Sequence, residues 1–367
     1  MKNILTIVLL IVIVLSLTIS TLTNVVIFSL IITLNPLSTG SAPISVQTPI
    51  PAADVEMSDA QVPLSDKPAA AAGPVTYNVG VCIYKFDDNY LTLYRWEIEK
   101  YFNSLQTDMV KYNVTIVDSK NSMATQTNQV NEFIGQGVDV LMVNLVKSSS
   151  APTITSKARE ADIPVVYFNN EPPGSDMLAW DKICYVGSDA RQSGAMQGEI
   201  IAELPDRGDI DGDGVVRYIM LMGKAEHADA AARTDYSIKT LIDAGIEVET
   251  LAELRGDWDQ SKGQKLTETA LAEFGSKIDV IFANNDAMAL GAYQAIIDSG
   301  RKVGTDVYLV GVDALEECVA MVNDGRMTGT VFQDYINQAR NSVNAAIKYL
   351  NKVPVDKYIM VDYQKIT

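Results

Sequence analysis

The stretch VIFANNDAMALGA, residues Val280 to Ala292, decides the fold class of this chain. It begins as a run that is apolar at every position, passes through three polar residues from Asn284 to Asp286, and continues as a helix-like segment. A uniformly apolar strand followed by a helix is typical of a parallel sheet that is covered on both faces. The stretch therefore predicts one strand-helix unit of an α/β fold.

The same pattern recurs along the chain from Tyr77 onward. Several short apolar runs are each followed by a helix-like stretch, which predicts doubly wound parallel sheets. The further runs are VGVCIY, VTIVDS, VDVLMVNLV, PVVYFNN, ICYVGSD, VRYIMLMG and VYLVGVD.

The predicted strands end in polar residues. Ligands bind beyond the carboxyl ends of parallel strands, so these residues indicate a binding site. Many of them could instead cap the helices that follow, because Asn and Asp accept hydrogen bonds from free N–H groups at helix starts. The residues concerned are Asp87, Asp88, Asn89, Asn144, Asn169, Asn170, Asn284 to Asp286 and Asp313.

Length and composition narrow the classes of function. The 367 residues have room for two domains. The net charge of -17 excludes a surface for nucleic-acid phosphates, because such surfaces need clustered Lys and Arg. The three cysteines form no CxxC pair, and we expect them to be small buried hydrophobic residues.

The N-terminal segment differs from the rest. Residues 4–34 are apolar and uncharged, which predicts a hydrophobic helix over 1–34 that anchors the chain in a membrane with its N-terminus inside. A signal peptide, cleaved so that the protein is secreted, is the alternative. Residues 35–76 are rich in Pro, Ala, Ser and acidic residues, which predicts a disordered, flexible linker. The remainder of the chain is expected to be extracytoplasmic.

From Tyr77 to Thr367 the sequence resembles the periplasmic glucose/galactose-binding proteins, a group of type I sugar-binding proteins of ABC importers. The resemblance rests on many motifs that occur in one order. They are IYKFDDNY (83–90), NLV (144–146), PVVYFNNEP (164–172), YVGSD (185–189), the DIDGDG loop (209–214), HADAAARTDY (227–236), ANNDAMALGA (283–292), GVDAL (311–315) and GTVFQD (329–334).

The resemblance implies two parallel-sheet lobes joined by a hinge of three segments. The N-terminal lobe would comprise 77–184 plus 334–352, and the C-terminal lobe 185–333 plus 353–367. Such a monomer closes on one monosaccharide, of the D-galactose or D-glucose type, and its closed form is recognised by an ABC permease and by a chemoreceptor. No covalent chemistry is expected.

The resemblance also implies a set of sugar-contacting residues. Tyr90 and Trp258 would supply flat walls for the sugar ring, carboxylates would accept from its hydroxyls, and the only histidine, His227, would donate to one. Gln333 stands where the family usually has asparagine. The set is Asp88, Tyr90, Asn144, His227, Asp229, Arg233, Trp258, Asn285, Asp313 and Gln333.

The DIDGDG loop resembles the first half of a calcium loop. A free-standing EF-hand needs a glutamate at its twelfth position, where this chain has Met220. The family instead implies a structural Ca²⁺ held by Asp209, Asp211, Asp213, the backbone carbonyl of Val215, and Asp279. Asp279 replaces a glutamate, and Arg217 replaces a glutamine at the ninth position. An acidic turn tied by Arg217 is the alternative, because arginine cannot ligate a cation.

Two other classes of function fit the sequence less well than solute capture. A glycosidase needs a protonated carboxyl paired with a second carboxyl, and no motif marks such a pair. Transcription repressors with a similar effector fold carry a basic helix-turn-helix, which is missing from this sequence. A membrane-tethered sugar sensor that signals to a separate histidine kinase is the remaining alternative.

Overall fold

The computed structural model describes residues 73–367. The predicted anchor over 1–34 and nearly all of the predicted linker lie outside the described residues. Among the helices within 73–367, none combines the length and the apolar character that crossing a membrane requires.

The described chain alternates strands and helices. The strands are β1 (Val75–Ile83), β2 (Val110–Asp118), β3 (Val140–Val143), β4 (Val165–Phe168), β5 (Ile183–Gly187), β6 (Val215–Met222), β7 (Glu247–Arg255), β8 (Val280–Ala283), β9 (Tyr308–Val310), β10 (Thr330–Phe332), β11 (Tyr358–Met360) and β12 (Gln364–Ile366). The helices are α1 (Asn89–Ser104), α2 (Met123–Gln136), α3 (Ala151–Glu160), α4 (Gly174–Met177), α5 (Ala190–Ala202), α6 (Ala228–Asp243), α7 (Gln260–Phe274), α8 (Asp286–Asp298), α9 (Glu316–Asn323) and α10 (Tyr335–Leu350).

The strands form two parallel sheets. The first has the order β11-β5-β4-β3-β1-β2 and the second the order β7-β6-β8-β9, and all their pairings are parallel. β10 and β12 form a small antiparallel pair. The central strands β3, β4 and β8 are buried at every residue, as expected for sheets with both faces covered. The predicted α/β class with two parallel-sheet lobes is confirmed.

The chain passes between the lobes three times, as predicted. It crosses after β5, again between β10 and α10, and finally between β11 and β12. Helix α5 packs on α6 in the second lobe, whereas α10 packs on α1 and on β3 to β5 in the first. The cleft between the lobes is therefore bridged by three short segments, which is the arrangement that hinge closure uses.

The lobe ranges differ from the predicted ones at two strands. The predicted boundary after residue 184 would cut through β5, but the whole strand pairs with β4 from Ile183 to Val186. Strand β11 pairs with β5 in the first sheet, although the prediction placed 353–367 in the second lobe. Strand pairing is a long-range contact, so the local pattern that identifies a strand does not say which sheet it joins.

Capping explains part of the polar series at the strand ends. The side chains of Asp88 and Asn285 accept hydrogen bonds from the first turns of α1 and α8. Ser122, Asp189 and Asp259 do the same for α2, α5 and α7. The expectation for the cysteines is also confirmed, because all three are free and buried.

Candidate functional site

A cavity lined by residues of both lobes lies between them. Its lining residues follow β1 and β4 of the first sheet and β6 to β10 on the second-lobe side, so strand ends from both lobes meet there, as the sequence predicted. Nine of the ten predicted site residues line it, namely Asp88, Tyr90, His227, Asp229, Arg233, Trp258, Asn285, Asp313 and Gln333.

Asn144 is the predicted site residue that does not line the cavity. It is fully buried, and its side-chain oxygen accepts from the backbone N–H of Tyr84 at 3.1 Å. Its amide donates to the Phe168 carbonyl at 3.3 Å and to Asn169 Oδ1 at 3.0 Å. These contacts tie the ends of β1 and β4 together. Its hydrogen-bonding groups are therefore used inside the first lobe, and the sugar contact of Asn144 stays a prediction that the cavity lining does not support.

Four lining residues were missed as site residues: Tyr84, Leu91, Asn169 and Asn170. Asn169 and Asn170 belong to the polar series at the strand ends, and that signal could have found them. The Tyr84 hydroxyl donates to Asp88 at 2.7 Å, and its ring packs edge-on against His227. Tyr84 and Leu91 carry no sequence signal that separates them from ordinary core residues.

Three lining residues have unusual backbone conformations. Asn169, Trp258 and Asp313 all have positive φ, at 60°, 69° and 125°. Residues other than glycine pay a conformational cost in this region, and such residues cluster at functional sites. The backbone at the cavity is therefore held by its surroundings in a shape that points these side chains at one space.

Arg233 is the only cationic residue among those that line the cavity, and it is 3% exposed. Its Nη1 donates to the Asn284 carbonyl at 2.6 Å, and its Nη2 donates to Gln333 Oε1 at 2.8 Å. A third bond from Nη2 reaches the Tyr363 hydroxyl at 3.2 Å. Because the Gln333 oxygen accepts from Arg233, Gln333 can offer the N–H groups of its amide to a ligand.

Close helix packing brings Arg233 to this place. Gly194 on α5 lies against the backbone of α6, where an added Cβ would come within 2.6 Å of the Arg233 carbonyl oxygen. Gly198, one turn later, has the same relation to the Ser237 carbonyl, at 2.4 Å. Small residues at both positions allow α6 to approach α5 and to carry the guanidinium into the cavity.

The carboxyls around Arg233 are shifted by burial. Burial raises the pKa of Asp313 well above its usual value, and Arg233 opposes this shift from 3.9 Å away. Burial also raises the pKa of Asp229, again opposed by Arg233. Buried carboxyls of this kind gain from a ligand that donates hydrogen bonds to them.

His227 is held as a neutral donor. The indole Nε1–H of Trp258 donates to His227 Nδ1 at 3.0 Å, which leaves the proton of the neutral ring on Nε2. Burial, and then the charge of Lys224, lower the pKa of His227 to about 4. The Trp258 ring itself lies against Gly223, where a Cβ would meet it at 2.0 Å.

Tyr90 lines the cavity, and its ring packs at 62° to Tyr94 inside the first lobe. Within residues 73–367, six buried side-chain polar atoms lack a hydrogen-bond partner. Three of the six belong to this cavity: Tyr90 Oη, His227 Nε2 and Arg233 Nε. Each buried polar atom without a partner costs about 1–3 kcal/mol, so the cavity is suited to a ligand that supplies several partners.

The lobes contact each other at the rim of the cavity. Lys224 of the second lobe donates to Asn121 Oδ1 of the first at 2.5 Å, and its ammonium lies 4.9 Å from the centre of the Tyr84 ring. Lys147 and Glu226 form an ion pair across the cleft at 3.6 Å. The two lobes therefore touch each other at the rim of the cavity in this structure.

The DIDGDG loop lies in the second lobe. The carboxylates of Asp209, Asp211 and Asp213 have oxygens within 4.8 Å of one another. Asp279 is not a member of this group within 73–367, and its Oδ2 accepts from the backbone N–H of Arg217 at 2.8 Å. The Arg217 guanidinium lies 2.7 Å from Asp213. Calcium at this loop stays a prediction, and the donor set fits it poorly because a side-chain cation already contacts the carboxylates.

Comparison with known proteins agrees with this architecture. The family model for the periplasmic binding protein domain matches residues 79–353. The D-galactose/methyl-galactoside binding periplasmic protein of Haemophilus influenzae is 36% identical over 276 residues, which cover 74% of this chain and 81% of that protein. A Rhizobium meliloti protein named provisionally for rhizopine binding is 31% identical over 290 residues, which cover 79% and 89% of the two chains.

A solved structure extends the comparison to the fold. The ABC transporter solute binding protein from Bacillus halodurans with bound myo-inositol superposes with a TM-score of 0.70 at 27% identity, over 82% of this chain and 96% of that one. These relatives are binding proteins, which confirms that the chain binds a solute and is not an enzyme. The chain therefore belongs to the periplasmic binding protein family, as an extracytoplasmic sugar-binding protein of the kind that serves ABC transporters.

Proposed function

We propose that the chain captures a D-galactose- or D-glucose-type monosaccharide in the cavity between its lobes and presents the closed form to an ABC permease. The observation that carries this proposal is the set of buried polar atoms without partners, Tyr90 Oη, His227 Nε2 and Arg233 Nε. Tyr90, His227 and Arg233 line one cavity, which Asp229 and the buried Asp313 also line.

The chemistry of the lining favours an uncharged ligand with many hydroxyls. Two of the unpartnered atoms are donors and one, the phenol, can donate or accept, while the carboxyls accept. An anionic ligand would meet three aspartates against one arginine. A hexose has hydroxyls that both donate and accept around its ring, and Trp258 offers an aromatic face for its C–H groups.

Titration calorimetry of the full chain with a panel of ligands tests the proposal. The panel is D-galactose, D-glucose, D-ribose and myo-inositol, the last because a structural relative holds it. We expect one equivalent of D-galactose or D-glucose to bind, and the other two to bind at least about tenfold more weakly. Binding of myo-inositol or ribose without either hexose would replace the hexose as ligand, and no heat with any of the four would end the proposal.

The tethered-sensor alternative uses the same cavity and hence the same ligand. It differs in what recognises the closed form, a histidine kinase in place of a permease. Uptake of radiolabelled sugar by cells that carry or lack the gene separates the two roles. Importer function requires that deletion lowers uptake, whereas unchanged uptake with a lost transcriptional response to the sugar would favour the sensor.

A further inference from the structure

Arg217 occupies the centre of the acidic DIDGDG loop. Its side chain, which is only 20% exposed, extends from β6 and places Nη1 2.7 Å from Asp213 Oδ2 and 3.9 Å from Asp211 Oδ2. Its Nε donates to Glu249 Oε2 on β7 at 2.9 Å. One guanidinium therefore joins the loop to two strands of the second sheet.

The remaining oxygens of the loop are also engaged. Asp209 accepts from the backbone N–H groups of Gly212 and Gly214, each at 2.9 Å. Both glycines have positive φ, at 73° and 94°, which lets the loop turn back on the Asp209 carboxylate. Asp279 at the start of β8 accepts from the backbone of Arg217. The loop is thus closed by hydrogen bonds and by the ion pairs of Arg217 within the protein.

A calcium ion would need the same oxygens. Calcium takes six to eight oxygen ligands at about 2.3–2.6 Å, and the ninth loop position, which is Arg217, cannot supply one. A guanidinium at 2.7 Å from Asp213 carries a positive charge to the place where the ion's charge would lie. A calcium ion and the Arg217 guanidinium would therefore compete for the same carboxylates. Because the guanidinium is covalently attached to the protein, it loses less translational entropy on binding them than a free ion does.

We propose that the guanidinium of Arg217 takes the place of a metal ion in this loop, so that the protein staples the loop to its second sheet without calcium. The inference is independent of sugar binding, because none of these residues lines the cavity. It predicts that the protein is indifferent to calcium and to chelators.

Wild-type protein gives the first test. Terbium luminescence and calcium calorimetry on the full chain should show no saturable site up to about 1 mM, where a regulatory or structural site in an extracellular module would bind. The melting temperature should agree within about 1 °C in excess calcium and in EDTA. A saturable site near one equivalent, or a melting temperature that EDTA lowers by about 3 °C or more, would overturn the proposal.

The variant Arg217→Gln gives the second test, because it removes the internal cation and adds an oxygen at the ninth position. We expect it to melt below wild type in EDTA and to gain about 3 °C or more in excess calcium. The matched control is Arg326→Gln, which removes an exposed arginine paired with Asp324 in the same lobe and should stay indifferent to calcium. If Arg217→Gln folds but gains neither calcium binding nor calcium-dependent stability, Arg217 does not hold the ion's place. If Arg217→Gln does not fold, the terbium and calcium titrations of the wild-type protein test the proposal on their own.

Discussion

The cavity between the lobes and the DIDGDG loop each contain carboxylates around one arginine. They differ in how many of those polar groups have a hydrogen-bond or ion-pair partner within the protein. In the cavity, Arg233 is 3% exposed and keeps its Nε without a partner, as do His227 Nε2 and the Tyr90 hydroxyl. In the loop, Arg217 is bonded to Asp213 and Glu249 at a partly exposed surface.

From this difference we expect that the number of acidic residues alone does not identify a binding site. The loop has the more compact acidic cluster, but its charge is met from within the protein. The cavity has buried polar atoms that the protein itself leaves without partners, and these cost stability until a ligand arrives. Capacity to bind follows from unsatisfied buried groups held in place by closed packing.

The largest expected effect comes from replacing the arginine of each region, Arg233 and Arg217, by methionine. Arg233→Met should lower sugar affinity at least about 100-fold, because it removes the guanidinium that pairs with Asp313, and truncating one partner of a buried charge pair at a binding site costs about 2–5 kcal/mol. Arg217→Met in the loop should leave sugar affinity within about twofold of wild type, because the two sites share no residues. Titration calorimetry measures both. Equal losses in the two variants would contradict the distinction.

A second test removes the aromatic wall. Trp258→Ala should weaken sugar binding about 10- to 100-fold, since it takes away the ring face and the indole N–H that orients His227. Trp96→Ala is the matched control, because that indole is 57% exposed on α1 and lies outside the cavity lining. Competition with a fluorescent or labelled sugar gives the affinities. If Trp258→Ala binds as tightly as Trp96→Ala, the indole is not part of the site.

A third test uses the low pKa of His227. Because the folded pKa is about 4 and the ordinary value 6.5, the unfolded chain takes up a proton first as the pH falls. His227 therefore lowers the free energy of unfolding between pH 6.5 and about 4, by up to about 1.4 kcal/mol per pH unit. His227→Gln should remove this loss.

The measurement is the difference in unfolding free energy between wild type and His227→Gln, from denaturant curves at pH 7, 6 and 5. The difference is needed because Asp279 and Asp286 have pKa values raised to about 6 by burial and act in the opposite direction. Wild type should lose stability relative to the variant as the pH falls. Parallel curves would show that His227 is not held neutral.

The smallest expected effect is at the Tyr90 hydroxyl. Tyr90→Phe should lower sugar affinity by about three- to tenfold, the value of one neutral hydrogen bond. It should also leave the ligand-free protein as stable as wild type or more so, because the buried oxygen has no partner there. Thermal melts with and without sugar measure both effects. A drop in ligand-free stability with unchanged affinity would assign Tyr90 to the core alone.

Local patterns were sufficient for the architecture but not for the lobe boundaries. The apolar run of β5 identifies a strand, yet only its pairing with β4 assigns it to the first sheet. Strand β11 is a short apolar run, Tyr358 to Met360, and its place beside β5 is settled across more than 170 residues of chain. Such contacts depend on the whole fold and leave no trace in a short window.

The candidate site also combines features that local sequence predicts with features that only long-range contacts decide. Asn144 and Asn169 are both asparagines at strand ends, so residue type and position along the chain do not distinguish them, and only Asn144 was expected to contact the sugar. In the structure the Asn144 amide donates to Asn169, which leaves Asn169 at the cavity and Asn144 inside the lobe.

The sequence by itself determined the strand-helix units and the polar residues at the strand ends, because these depend on residue type and spacing along the chain. Only the tertiary structure decided which polar groups are left without partners. Arg233, for example, meets Gln333 and Tyr363 from far along the chain and keeps one N–H for a ligand. Hydrogen-bond satisfaction in a buried site is a property of several segments brought together, and no one of them carries it alone.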